Sequence, residues 1–149
     1  MAKQDKARGM RWYQFIIWFY LYASAVIGVL VGVGEITGVV YLDMAETFYT
    51  LFPMLQVVNV FFGVMQILLA GIALYVRRQL ARWKGMAPRF LLMYQIFCLV
   101  YYAAYLAGTS LVLGELAVDW LAGGYILLQL LLLVVNGIYF HRREEMFNL

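Results

Sequence analysis

The residues with chemical handles in this 149-residue chain are few, and most are tyrosines and side-chain amides. Placed on helices at about 100° per residue, they collect into one stripe per helix. The first stripe holds Tyr13, Tyr20, Ser24, Gly28 and Glu35, and the second Asn59, Gly63, Gln66, Ala70 and Ala73. The third holds Tyr94, Cys98, Tyr101 and Tyr105, edged by Gly108 and Thr109, and the fourth Tyr125, Gln129 and Asn136. Tyr20, Ser24, Gln66, Tyr101, Tyr105 and Gln129 also fall at about one level, mid-way along their segments. Phenols, hydroxyls and amides bind rather than react, and tyrosine faces attract cations by roughly 0.5 to 2 kcal/mol. Tyr20, Ser24, Asn59, Gln66, Tyr101, Tyr105 and Gln129 therefore form a candidate ligand site for a neutral or cationic amphiphile, a lipophilic amine being the sharpest reading. The same groups also suit interhelical hydrogen bonds that fix helix register, at about 0.6 kcal/mol each.

Catalysis is not expected. His141 is the single histidine and Cys98 the single cysteine, so no cluster of His or Cys metal ligands, haem pair or dithiol can be assembled. Gly32-x-Gly34 and Gly123-Gly124 lack the strand and helix that a phosphate loop needs. No cofactor and no metal are expected. His141 suits the negative end of a helix, and Cys98 suits packing. Glu35, Asp43, Glu46, Glu115 and Asp119 are expected at an outer acidic rim. Such a rim either raises the local cation concentration at a mouth or simply solvates the connections.

The elements that position these residues follow from composition. The chain is 66% hydrophobic and 13% charged, against roughly 25% charged for a soluble domain, so most of its surface must face lipid. The expected fold is all-α: an integral membrane four-helix bundle in a single domain over residues 1–149. The spans are expected at about Trp12–Val33, Pro53–Val76, Phe90–Leu113 and Asp119–Phe140, each near the 20 or so residues that a bilayer requires. Residues Tyr13–Glu35 and Tyr94–Glu115 are similar, sharing Tyr13/Tyr94, Gln14/Gln95, Tyr20/Tyr101, Ala23/Ala104, Leu30/Leu111 and Val31/Val112, and a one-residue gap then aligns Gly34-Glu35 with Gly114-Glu115. They read as the first helices of two similar hairpins related by a pseudo-twofold axis along the membrane normal.

The eleven Lys and Arg residues fall in three clusters: Lys3, Lys6, Arg8 and Arg11; Arg77, Arg78, Arg82, Lys84 and Arg89; Arg142 and Arg143. By the positive-inside rule both termini and the 77–89 loop are expected in the cytoplasm of a bacterial inner membrane. Gly85 and Pro88 are expected to break the helix within that loop. A soluble nucleic-acid binder is excluded by the apolar segments between the clusters. Ala23-Ser24-Ala25 imitates a signal-peptidase site, but the apolar run continues past it, so the first span is expected to be uncleaved. In the outer connection, Asp43-x-x-Glu46 suggests a capping box ahead of a short helix lying on the membrane, with a polar loop as the alternative.

Ser24-x-x-x-Gly28-x-x-x-Gly32 is a ladder of small residues for close helix packing, with Ala104-x-x-x-Gly108 in the same role in the third span. The leading expectation is a non-catalytic multi-pass membrane protein that works by helix association, with itself or within a larger membrane complex. The alternative is a small transporter or channel for a cationic or neutral amphiphile, using the Tyr/Gln layer. An acyl or isoprenoid groove is a third reading. The partners are thus the lipid bilayer, a membrane protein or second copy, and a hydrophobic or cationic small molecule.

Overall fold

The computed structural model describes residues 10–116 and 119–147. Lys3, Lys6 and Arg8 of the first basic cluster lie outside the described residues. Helix α1 comprises Arg11–Phe15, a π-helical turn Ile16–Tyr20, and Leu21–Thr37. A 3-10 segment, Val39–Met44, leads into the short helix α2, Ala45–Leu51. Helices α3 (Pro53–Ala81), α4 (Ala87–Leu113) and α5 (Trp120–His141) follow, and then a 3-10 turn, Glu144–Met146. Four helical segments are long and apolar enough to cross a membrane.

Local chemistry accounts for the boundaries. Gly38 (φ 78°) and Gly114 (φ 73°) end α1 and α4 in the left-handed region, which glycine enters without a Cβ penalty. Pro53 opens α3, where a missing N–H costs nothing. Asp119 caps α5, its Oδ1 accepting from Ala122 N at 2.8 Å. Two sequence expectations are corrected here. Helix α3 runs on through Arg77 and Arg78 to Ala81 and α4 begins at Ala87, so Pro88 sits in a first helical turn and the connection shrinks to residues 82–86. Asp43 and Glu46 make no capping box: Met44 is the N-cap of α2 and carries no side-chain cap.

Helices α1 and α3 form the tightest pair. A Cβ on Gly32 would stand 2.7 Å from the Gly63 carbonyl oxygen, and a Cβ on Gly63 would stand 2.7 Å from that of Gly32. One turn away Gly28 faces Ala70 and Gln66. The ladder of Gly28 and Gly32 is therefore consumed inside the chain, against the stripe of α3. Gly108 faces Phe62 and Val58 of α3, whereas Ala104 is exposed among the described residues.

The end of the bundle that carries Arg77, Arg78, Arg82, Lys84, Arg89, Arg142 and Arg143 is the basic end. Its core is well filled: Tyr13, Ile16, Leu21, Val76, Leu80, Leu91, Phe140 and Phe147 are all buried. Tyr13 stacks on Trp83 at 4.6 Å, and Trp83 packs against Phe147 at 5.0 Å. Trp83 closes α3 by a Schellman arrangement, with Trp83 N–H on Leu80 O and Lys84 N–H on Gln79 O. It holds φ 56°, a left-handed value usually left to glycine, because the ring is clamped between Tyr13 and Phe147.

Candidate functional site

The polar groups are layered along the bundle, starting at the basic end. Trp12 Nε1 donates to Asn136 Oδ1 at 2.8 Å, and Tyr13 OH donates to Leu80 O at 2.8 Å. The π-helical turn comes next. Leu21 N–H reaches back to Ile16 O, and the wide turn presents the Ile17 carbonyl to Arg77, whose Nε donates to it at 3.0 Å. The guanidinium also lies 5.0 and 4.3 Å from the Trp18 and Tyr22 ring centres. Tyr20 and Gln95 form the following layer, Gln95 Nε2 donating to Tyr20 OH at 3.5 Å. Gln95 is fully buried and its Oε1 has no hydrogen-bond partner.

Above that layer the helices part around a cavity of about 190 Å³. Glu35 from α1, Gln66 from α3, Cys98, Tyr101 and Tyr105 from α4, and Tyr125 from α5 all line it. Its mouth is flanked by Ile27 and Val31 of α1 and by Tyr125, all three exposed on the apolar surface of the bundle.

Glu35 is the decisive residue. It is 6% exposed and faces inward, so it does not belong with the rim, where Asp43, Glu46, Glu115 and Asp119 are exposed. The reason is register. Gly32 packs at Gly63, ten residues from the start of α3, so about 15 Å of α3 rises past the level of Gly32. The 39–51 segment packs back on the end of α1, with Val40 beside Gly34 and Tyr49 beside Gly38. Glu35 Oε2 lies 3.5 Å from Tyr101 OH. Tyr101 stands about 21 Å along α4 from Ala87 and about 18 Å from Leu113, near that helix's midpoint. Its proton is directed at the Phe62 carbonyl, 2.9 Å away, which leaves Glu35 only the longer contact. Among the described residues Glu35 forms no ion pair. A buried carboxylate without a counter-charge is costly.

A second cluster closes the cavity toward the acidic end. Asn59, fully buried, donates from Nδ2 to Tyr41 OH at 2.9 Å and Tyr49 OH at 3.3 Å, and its Oδ1 accepts from Tyr105 OH at 3.3 Å. Tyr41 and Tyr49 come from the 39–51 connection, and no sequence pattern marks them. Their only signal in the sequence is the density of aromatic residues between positions 41 and 52.

Of the seven candidate ligand residues, Gln66, Tyr101 and Tyr105 share the cavity, and Asn59 joins them through Tyr105. Tyr20 lies one layer nearer the basic end, and Ser24 and Gln129 are half-buried off the lining. Tyr125, one turn before Gln129, supplies the contribution of α5. Glu35, Cys98 and Tyr125 are lining residues that the candidate set left out. Among the described residues no group of three or more His, Cys, Asp and Glu side chains could hold a metal ion.

Fold and site together define a class: a helical protein with four potential membrane spans and, between them, a cavity lined by tyrosines and one carboxyl group. Comparison with known protein families, curated proteins and solved structures finds no match to this chain.

Proposed function

We propose that this is a non-catalytic multi-pass membrane protein that takes up a small lipophilic organic cation in the Glu35 cavity, as a transporter or channel. The observation that carries the reading is the buried Glu35 carboxylate, without an ion pair, on a cavity whose walls include four tyrosines, Tyr101, Tyr102, Tyr105 and Tyr125. A bound cation would neutralise the carboxylate while the phenol faces hold its apolar body. The exposed mouth beside Ile27 and Val31 suits access from the bilayer. The distribution of Lys and Arg supports a bacterial inner-membrane location with both termini and the 82–86 connection cytoplasmic. The repeat between residues 13–35 and 94–115 supports a pseudo-twofold origin for the two hairpins.

Thermal unfolding of the purified full-length chain with benzyltrimethylammonium, against its uncharged carbon isostere neopentylbenzene, tests this. The cation is expected to raise Tm well above the isostere, and Glu35→Gln to remove the difference. Equal shifts from both compounds, or an unchanged cation response in Glu35→Gln, would sink the proposal.

Association with a second copy or a membrane partner is a second reading. It is favoured by exposed Ala104 and by Gly123 and Gly124, where an added Cβ would meet nothing within 4 Å. Mass measurement in detergent separates it: a strictly monomeric particle with no co-purifying protein removes this reading and leaves the first intact.

A further inference from the structure

A second cavity, of about 350 Å³, opens at the basic end between the start of α4 and the end of α5. This is within the size range of small-molecule sites, about 300 to 1,000 Å³. Its lining divides by chemistry. Leu92, Gly137, Phe140 and Phe147 give it apolar walls, while Arg89, His141 and Glu144 bring charge and hydrogen-bonding capacity. Arg89 and Glu144 line the same space, yet among the described residues the one ion pair is His141 with Glu144, Nδ1 to Oε2 3.9 Å. Two opposite charges that face one cavity without pairing match a ligand that carries both signs.

We propose that this cavity binds the phosphoethanolamine headgroup of a membrane lipid, its phosphate on Arg89 and its ammonium on Glu144 and His141. A guanidinium offers a planar fork of donors to phosphate oxygens. A primary ammonium has three N–H donors for a carboxylate and an imidazole, whereas a choline nitrogen has none and a glycerol headgroup has no positive charge. The cavity lies at the helix ends where the basic residues gather, the depth at which headgroups meet a membrane protein. Gly137 opens its apolar side. An added Cβ there would meet nothing within 4 Å, which leaves room beside α5 for the glycerol and upper acyl chain. The site is independent of the Glu35 cavity and of its ligand.

Native mass spectrometry of the full-length, delipidated chain with dioleoyl phosphatidylethanolamine, phosphatidylglycerol and phosphatidylcholine tests the proposal. Phosphatidylethanolamine is expected to be retained about tenfold better than either competitor, the scale of one charge-assisted hydrogen bond. Glu144→Gln is expected to erase that preference, and Arg89→Gln to weaken all three lipids. Gly137→Leu fills the space and is expected to reduce every lipid while Tm holds or rises, since leucine is the better helix former. Equal or better retention of phosphatidylglycerol by the wild type, or a preference that survives Glu144→Gln, overturns the assignment. Displacement of the lipid by free phosphoethanolamine at millimolar concentration would assign the site to a soluble headgroup compound and overturn the lipid.

Discussion

The two ends of the bundle solve the problem of polar groups among apolar helices in opposite ways. At the basic end three donors are spent on partners, Tyr13 on Leu80 O, Trp12 on Asn136 and Arg77 on Ile17 O, while Asn136 Nδ2 and Tyr139 OH are left without one among the described residues. Aromatic rings fill the core around Tyr13, Trp83 and Phe147, with the Arg89 cavity beside it. Toward the acidic end, Tyr101 and Tyr105 are tied to Phe62 O and Asn59, yet the carboxylate beside them is not matched by a charge, and a cavity remains. The first arrangement holds the fold together. The second leaves a buried carboxyl group without an ion pair among the described residues, the feature on which the proposed cation site rests. The contrast makes a division of labour testable: changes in the aromatic core of the basic end should move stability and spare cation binding, and changes around Glu35 should do the reverse.

The largest effect is expected from Trp83→Ala. Removing a clamped aromatic side chain from a filled core costs about 3 to 5 kcal/mol, read as a lower midpoint in denaturant or heat. Because Trp83 holds a left-handed φ of 56°, Trp83→Gly should recover about 1 kcal/mol of that loss relative to alanine. A loss below about 1 kcal/mol for Trp83→Ala would show that the aromatic clamp is not where the stability lies.

The contact between Gly32 and Gly63 comes next. Gly63→Ala drives a Cβ to within 2.7 Å of a backbone oxygen, which cannot swing away as a side chain can. About 1 to 3 kcal/mol of destabilisation is expected, with a matching value for Gly32→Ala. Gly71→Ala is the control on the same helix: an added Cβ there meets nothing within 4 Å, and stability should hold or rise. If all three variants behave alike, the close approach of α1 and α3 is wrong.

Glu35→Gln is the sharpest test of the other half. It keeps the shape and removes the buried charge, so cation binding should fall by about 2 to 3 kcal/mol, as when one member of a buried charge pair is deleted. Thermal stability of the empty protein should stay level or rise, because an unmatched carboxylate no longer has to be buried. A protein that loses stability while retaining its affinity would invert the proposed division.

How much of this was legible in the sequence differs by helix. The stripe of α3 was readable because that helix is regular: Asn59, Gly63, Ala70 and Ala73 are buried and Gln66 lines the cavity. In α1 the π-helical turn adds a residue per turn, so Tyr13 reaches α3 while Tyr20 reaches Gln95 of α4, although a fixed 100° places them on one face. The depth of Glu35 was not readable at all. It depends on Gly32 meeting Gly63, a register between helices that no single-helix pattern contains. The same holds for Tyr41 and Tyr49, which sit in a connection with no period to mark them. Matching sequence positions do not ensure matching surroundings either: Glu35 is buried and Glu115, its counterpart in the repeat, is exposed.

The smallest expected effect separates the stripes drawn from sequence from the cavity that the helices enclose. Gln66 and Gln129 are both half-buried amides assigned to one mid-bundle layer, but only Gln66 lines the cavity. Gln66→Leu removes a dipole beside the bound cation and should weaken it by about 1 kcal/mol, the usual scale of one hydrogen bond. Gln129→Leu, one turn beyond Tyr125 and off the lining, should leave cation affinity unchanged and shift stability by less than about 0.5 kcal/mol. Titration of both variants with benzyltrimethylammonium decides between them. Equal losses would mean that α5 presents Gln129 to the ligand, and that the cavity extends along α5 as the sequence pattern drew it.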